Sequence, residues 1–172
     1  MTQGFLARVA GKTRQIFGID VSAGAADAGK IPAFGPDGRL HLSMMPVGIG
    51  AQTTQATASE AIGAGKFVNF FDNGGTFSMR LADNSNGRAA DGFVTEAVAS
   101  AAVGSVYPLD GTNASLTGLT VGTHYWLGTA GGVVATPLDE TDAGNVNKIS
   151  QYLGVAKSTT ELVTNDDGYV VL

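Results

Sequence analysis

Proline and glycine recur every few residues through Gly29-Lys30-Ile31-Pro32-Ala33-Phe34-Gly35-Pro36-Asp37-Gly38-Arg39-Leu40-His41-Leu42-Ser43-Met44-Met45-Pro46. Proline lacks a backbone donor and biases the residue before it toward extended geometry, so this stretch cannot form a regular helix. Yet Ile31, Phe34, Leu40, Leu42, Met44 and Met45 are too apolar for a solvated linker. A chain that cannot coil but gains from burial must lie along another surface. Residues 1–50 therefore read as an extended docking arm and connector, and residues 51–172 as a folded body.

The arm itself has two parts. Residues 1–20 mix small, basic and apolar side chains, and Val21 to Gly29 is a hinge of small residues in which Ala25-Ala26-Asp27-Ala28 has room for one helical turn between glycines. Ordering a backbone costs roughly 1–2 kcal/mol per residue, and nothing in the arm supplies that alone. The expectation is an arm that is mobile in isolation or pinned by partner contacts.

From Ala51 onward the pattern is β. Gln52–Thr57 is a Thr-rich strand. Thr57-Ala58-Ser59-Glu60 has the spacing of a capping box, but Gly63 and Gly65 stop any helix, which predicts a bend. Lys66–Phe71 and the alternating Thr76–Leu81 flank Asp72-Asn73-Gly74-Gly75, a strong hairpin signal. Further strands are expected near Gly92–Ala99, at Ser105–Tyr107, and at Thr123–Leu127 and Gly132–Thr136 around a second hairpin turn. Lys148–Ala156 is the longest late strand, with Ile149, Leu153 and Val155 expected on one face. Thr160–Thr164 and Tyr169–Leu172 are expected to close around the turn Asn165–Gly168. Short strands with turns every 8–12 residues predict an all-β, small antiparallel barrel-like or sandwich body.

Composition narrows the function. Charged residues are 15% of the chain, below the usual quarter or so, while 25 residues are glycine. The surface is thus polar but weakly charged, as in β-rich proteins that work against neighbours. Cysteine is absent, which excludes disulfides, thiolate metal sites and cysteine nucleophiles. No apolar run approaches transmembrane length, so no membrane partner is expected. The N-terminus meets charge and glycine at once instead of a hydrophobic signal core, so synthesis is expected in the cytoplasm.

Charge divides along the chain. Residues 1–50 hold five basic and three acidic side chains, net +2, and residues 51–172 hold five basic and twelve acidic, net −7. Such asymmetry suits an arm that meets an acidic surface. Arg8, Lys12 and Arg14 are too few, and too poorly interleaved with aromatics, for nucleic acid. The expected partner-binding residues are these three cations with the apolar anchors Phe5, Leu6, Ile16, Phe17, Ile31, Phe34, Leu40 and Met44.

No catalytic constellation is legible. His41 and His124 are isolated, no G-x-S-x-G elbow occurs, and no glycine-rich loop ends in Lys-Ser or Lys-Thr. Asp139-Glu140-Thr141-Asp142 gathers carboxylates in one loop, but without an EF-hand pattern it reads as a solvated acidic loop, so no metal and no cofactor is expected. Asp83-Asn84-Ser85-Asn86-Gly87 is likewise a turn, its glycine one position early for a calcium loop. Tyr125 and Trp126, being adjacent on a strand, point to opposite faces, so one can be core and the other offer a ring to a sugar or partner. Trp126 is assigned to the core.

Two stretches carry a family resemblance. Ala28–Leu40 leading into Ser43-Met44-Met45-Pro46-Val47-Gly48-Ile49-Gly50 resembles a connector that joins a docking segment to a β domain in tailed-phage virion proteins. Gly118-Leu119-Thr120-Val121-Gly122-Thr123-His124-Tyr125-Trp126-Leu127 through Val133, with Tyr152-Leu153-Gly154-Val155-Ala156-Lys157-Ser158, is similar to the β body of the tailed-bacteriophage capsid decoration (cement) and head-fibre proteins. The resemblance implies a structural, non-enzymatic virion protein on the capsid surface, typically a homotrimer, whose partner is the major capsid protein. Its function would be to stabilise that lattice. The other reading is a fibre or tail-associated β module that binds host-surface glycans.

Overall fold

The computed structural model describes residues 4–36, 38–45 and 52–172. The boundary expected between Gly50 and Ala51, and the connector residues Pro46–Gly50, lie outside the described residues. The chain divides into two compact units, Met1–Ala51 and Gln52–Leu172. It is nearly all β, with short 3-10 turns at Gly24–Asp27, Leu42–Met44 and Ala143–Asn145.

In the first unit, β1 (Gly4–Val9) and β2 (Lys12–Phe17) form an antiparallel hairpin that the sequence reading does not place. Ala10 and Gly11 both adopt positive φ, 50° and 79°, the twist a two-residue turn needs to match its strands. Beyond the hairpin, Ile19 bridges to Pro32 in parallel. The Ile19 N–H donates to the Ile31 carbonyl at 3.0 Å, and the Ala33 N–H donates to the Ile19 carbonyl at 2.7 Å. Between them, Asp27 accepts from Lys30 Nζ at 2.6 Å and closes the small-residue loop.

The second unit contains two sheets. The first runs β6 (Gly92–Phe93), β4 (Phe67–Asn73), β5 (Thr76–Leu81), β3 (Thr54–Ala58), β7 (Val103–Val106) in spatial order. It curls nearly into a barrel, because Phe93 in β6 pairs back to Tyr107, just past β7. All neighbours are antiparallel except β3 and β5, which run parallel with β4 making the return. The second sheet runs β10 (Val133–Val134), β9 (His124–Leu127), β11 (Ile149–Ala156), β12 (Leu162–Thr164), β8 (Thr112–Asn113), with β13 (Tyr169–Val171) also on β11.

Period-two alternation at the barrel wall makes two cores. Consecutive residues Phe67 and Val68 are both fully buried but face opposite ways. Val68 joins Ala56, Met79, Val94 and Val106 inside the barrel. Phe67 joins Phe93 and Ala82 against Leu127, Leu153, Ala156 and Leu162 of the second sheet. Each fully buried large apolar side chain contributes roughly 1.5–3 kcal/mol.

Buried polar side chains tie the layers by imitating a strand. Gln151 sits in β11 with its amide on Ala90: the Ala90 N–H donates to Oε1 at 2.7 Å, and Nε2 donates to the Ala90 carbonyl at 2.9 Å. Asn113 Nδ2 donates to the Gly65 carbonyl at 2.9 Å.

Three expectations need correction. Val155 does not share the core face of Ile149 and Leu153; the register between β11 and β9 shifts between Tyr152 and Gly154, so Ala156 takes the core position. Gly154 makes the bulge possible, with φ +143°, since a Cβ there would lie 2.0 Å from the Val163 carbonyl oxygen. The last two strands do not close on each other around Asn165–Gly168; β12 pairs with Gly154–Ala156 and β13 with Ile149–Gln151. Trp126 is not core: Tyr125 is buried in its place and Trp126 is half-buried on the outer face.

Candidate functional site

The alternation of β1 and β2 distributes the expected partner-binding residues over both faces of the hairpin. Phe5 stands opposite Ile16, Ala7 opposite Arg14 and Val9 opposite Lys12, on one face; Leu6 opposite Gln15 and Arg8 opposite Thr13 share the other with Phe17. The apolar pairs lie at the open end and the three cations toward the turn. No acidic residue occurs between Gly4 and Ile19. Leu6 is 74% exposed, Phe17 51% and Phe5 38%, while Ile16 is half-buried against its cross-strand partner. Arg8, Lys12 and Arg14 are all exposed.

The remaining anchors lie on the Pro/Gly segment. Phe34 is 70% exposed, and Ile31 and Leu40 are exposed as well. Met44 is half-buried, its N–H donating to the His41 carbonyl at 2.9 Å. Phe5, Ile31, Phe34 and Pro36 help line an open groove of about 750 Å³ within this unit, floored by Gly18. A Cβ on Gly18 would come within 2.8 Å of the Ala33 Cβ, so glycine lets the two strand segments meet there. A smaller hollow of about 230 Å³ involves Val21, Arg39 and Leu40. Thus Phe5, Ile31 and Phe34 are brought together, whereas Arg8, Lys12 and Arg14 stand apart toward the hairpin tip. Residues 4–45 carry half of the exposed large apolar side chains among the described residues, and none of the buried core.

Electrostatics in this unit are local. The Lys30 ammonium, and next the Ala23 N–H, hold the Asp27 carboxyl below its ordinary range. In the second unit, the acidic loop uses its carboxylates internally. Asp139 Oδ1 accepts from the Thr141 N–H and hydroxyl, and Asp142 Oδ1 accepts from the Gly144 N–H. Among the described residues no cluster of three or more His, Cys, Asp or Glu is placed to hold a metal ion.

Sequence reasoning missed a second constellation. His124 and Trp126 on β9 share the outer face with Tyr152 on β11, which stands directly opposite Trp126. His124 Nδ1 lies 3.0 Å from the Tyr152 hydroxyl, and the Trp126 and Tyr152 rings meet edge-on at 5.7 Å. The signal was present in His-Tyr-Trp-Leu: Leu127 marks the buried phase of the strand, and Tyr125 shares it, leaving Trp126 with His124. Tyr125 completes its core role by accepting from the Thr120 N–H at 3.0 Å.

No family model matches this chain, and no curated protein matches it in sequence. Among solved structures it is similar to the N base of the head fiber gp8.5 of bacteriophage phi29, with 16% identity and a TM-score of 0.46, over 66% of this chain and 92% of that one. At that score the overlap does not by itself define a common fold.

Proposed function

We propose that this chain is a structural virion protein that decorates the outer surface of a phage capsid, with the body as a homotrimer and the arms gripping the lattice of the major capsid protein. The observation that carries this reading is the contrast in burial: residues 4–45 display Phe5, Leu6, Phe17, Ile31 and Phe34 and bury none of the core. Exposed apolar side chains grouped in this way mark an interaction surface. Three cations on a stretch, Gly4–Ile19, that holds no acidic residue give the hairpin tip an affinity for acidic shell groups. The similarity of Ala28–Leu40 and Gly118–Val133 to decoration and head-fibre proteins supports the same assignment.

The mechanism is mechanical. Folded back as the β1–β2 hairpin, with Ile19 bridged to Pro32, the arm reaches far less than the roughly 150 Å of a fully extended chain of its length, and each buried anchor contributes roughly 1.5–3 kcal/mol. Several anchors on each of three chains clamp neighbouring shell subunits against internal pressure. Synthesis would be in the host cytoplasm, followed by assembly on the capsid exterior.

The test uses the full chain with Leu6→Ser, Phe17→Ser and Phe34→Ser together, mixed with purified shells of the major capsid protein and sedimented. The variant should keep its thermal midpoint and its mass in solution while losing most shell binding. Undiminished co-sedimentation would sink the proposal, and light scattering on the wild type checks the trimer.

A further inference from the structure

We propose that the outer face of the second sheet, built on His124, Trp126 and Tyr152, is a binding site for a neutral, pyranose-containing glycan. This does not rest on the arm or on the capsid reading, because every residue involved lies in the second unit.

The three rings come from two paired strands and lie against one another. Trp126 meets Tyr152 edge-on at 5.7 Å and 63°, His124 lies 5.7 Å from Tyr152, and the His124–Trp126 centroids are 6.4 Å apart. Trp126 and Tyr152 are half-buried at their bases, and His124 is exposed. Rings held in this way lose little rotamer freedom on binding. A pyranose presents a face of C–H groups, which stacks on aromatic rings, and a rim of hydroxyls, which needs donors and acceptors at the ring edges.

The polar edge is supplied by the His124–Tyr152 hydrogen bond of 3.0 Å. If the Tyr152 hydroxyl donates to Nδ1, the N–H of Nε2 is left for a ligand. If Nδ1 carries the proton, the Tyr152 hydroxyl is left to donate. Each tautomer thus keeps one donor and one sharply placed oxygen or nitrogen at the same edge. Burial, and next the Asp167 carboxylate, push the Tyr152 hydroxyl above its ordinary pKa.

Register extends the surface. Val134 stands opposite Trp126 on one side, and Val155 opposite both His124 and Val163 on the other. These positions span four adjacent strands, roughly 14 Å at ordinary strand spacing, wider than a single sugar ring.

Charge selects a neutral ligand. Asp166 and Asp167 lie in the loop leading into β13, and residues 51–172 carry net −7. The cations flanking β11 are engaged elsewhere: Lys148 Nζ donates to Asn145 at 3.0 Å, and Lys157 pairs with Glu161 at 3.3 Å. An anionic glycan or a nucleic acid would meet net repulsion from this acidic unit.

Trp126 is the chain's one tryptophan, so its fluorescence reads this site directly. The full-length protein should be titrated with chitohexaose, maltoheptaose and yeast mannan as neutral probes, and with polysialic acid as the anionic one. The expected result is a saturable change with at least one neutral probe and none with polysialic acid. Tyr152→Ser and His124→Ala should each weaken that binding by about tenfold or more while keeping the thermal midpoint. His124 is exposed, so its variant remains informative if Tyr152→Ser fails to fold. Silence of all neutral probes up to roughly 10 mM, well beyond the millimolar range of weak recognition, would overturn the proposal, as would preference for polysialic acid. A wild-type oligomer that dissociates on His124→Ala would overturn it too, identifying a second copy as the occupant.

Discussion

The hairpins β1–β2 and β4–β5 are built to nearly the same plan and live in different circumstances. Each joins two strands of similar length through a two-residue turn with both central residues at positive φ: Ala10 and Gly11 in one, Gly74 and Gly75 in the other. Each carries large apolar side chains on both of its faces, Phe5 and Leu6 in one, Phe67 and Val68 in the other. In β4–β5, both faces of the strand pair are used, one toward the barrel interior through Val68 and Met79 and one toward the second sheet through Phe67. In β1–β2 only Ala7 and Ile16 are half-buried, and Leu6 and Phe17 stand open. A lone two-stranded hairpin is marginal in water. The hydrogen-bond ladder is therefore not what separates a stable hairpin from a waiting one; burial of its faces is. If that is right, damage to the two cores should be severe and should leave the first hairpin as it was.

Gly154→Ala should break the body most completely. A Cβ would lie 2.0 Å from the Val163 carbonyl oxygen, at a φ of +143° that side-chain-bearing residues rarely adopt. Backbone cannot yield as a side chain tip can, so β11 must leave its register with β12, and the core position of Ala156 goes with it. We expect a loss of at least about 4 kcal/mol, read as a collapse of the thermal transition. A normal midpoint would mean that the bulge is not needed to hold the second sheet.

Gln151→Leu attacks the seam between the sheets. Gln151 is buried and satisfies both backbone groups of Ala90. Leucine restores apolar contact but leaves a buried donor and acceptor unpaired, which should cost about 2–3 kcal/mol in urea unfolding. A loss well below that would show that water reaches Ala90 and that the seam is wetter than its burial implies.

Asp83→Asn sharpens the comparison through pH. Burial raises the Asp83 carboxyl, but the Ser85 hydroxyl, the Ala130 and Ser85 N–H groups and the Arg88 charge outweigh it and hold the group below its ordinary value of 3.8. A depressed folded value means that Asp83 adds stability in full above the unfolded value and loses it as pH falls through the folded one. The asparagine variant should be less stable at neutral pH, and the gap should close as the pH falls through the depressed folded value of Asp83. A constant gap across that window would assign the effect to packing and not to charge.

Legibility in the sequence follows the same divide. The turn Gly74-Gly75 and the strand Thr76–Leu81 were readable because two glycines and strict alternation coincide there. The barrel closure at Phe93–Tyr107 was not, since a single bridge between distant residues leaves no local pattern. The Val155 error has a related cause. Period-two counting assumes an unbroken pleat, and one glycine bulge inverts every later residue. The exposed Ile31, Phe34 and Leu40 were legible as apolar residues in a segment that cannot coil, whereas the exposure of Phe5, Leu6 and Phe17 depends on a hairpin that has no strong local turn signal. The His124, Trp126 and Tyr152 cluster needed two strands paired in register, which composition along one strand does not reveal.

The first hairpin escaped notice because Ala10-Gly11 is a poor turn signal, and that is also where it can be improved. Alanine at φ 50° carries the steric cost that glycine or asparagine avoids. Ala10→Asn would give the favoured Asn-Gly turn and should stabilise the hairpin by about 0.5–1 kcal/mol, without moving the thermal midpoint of the body. Amide exchange across β1 and β2 would report it, as slower exchange at Val9 and Lys12 than in the wild type. If the turn alone then protects those amides in the free chain, covered faces are not required for this hairpin. If exchange stays fast, the ladder and its turn do not hold this hairpin by themselves, and the contrast with β4–β5 stands on the cores alone.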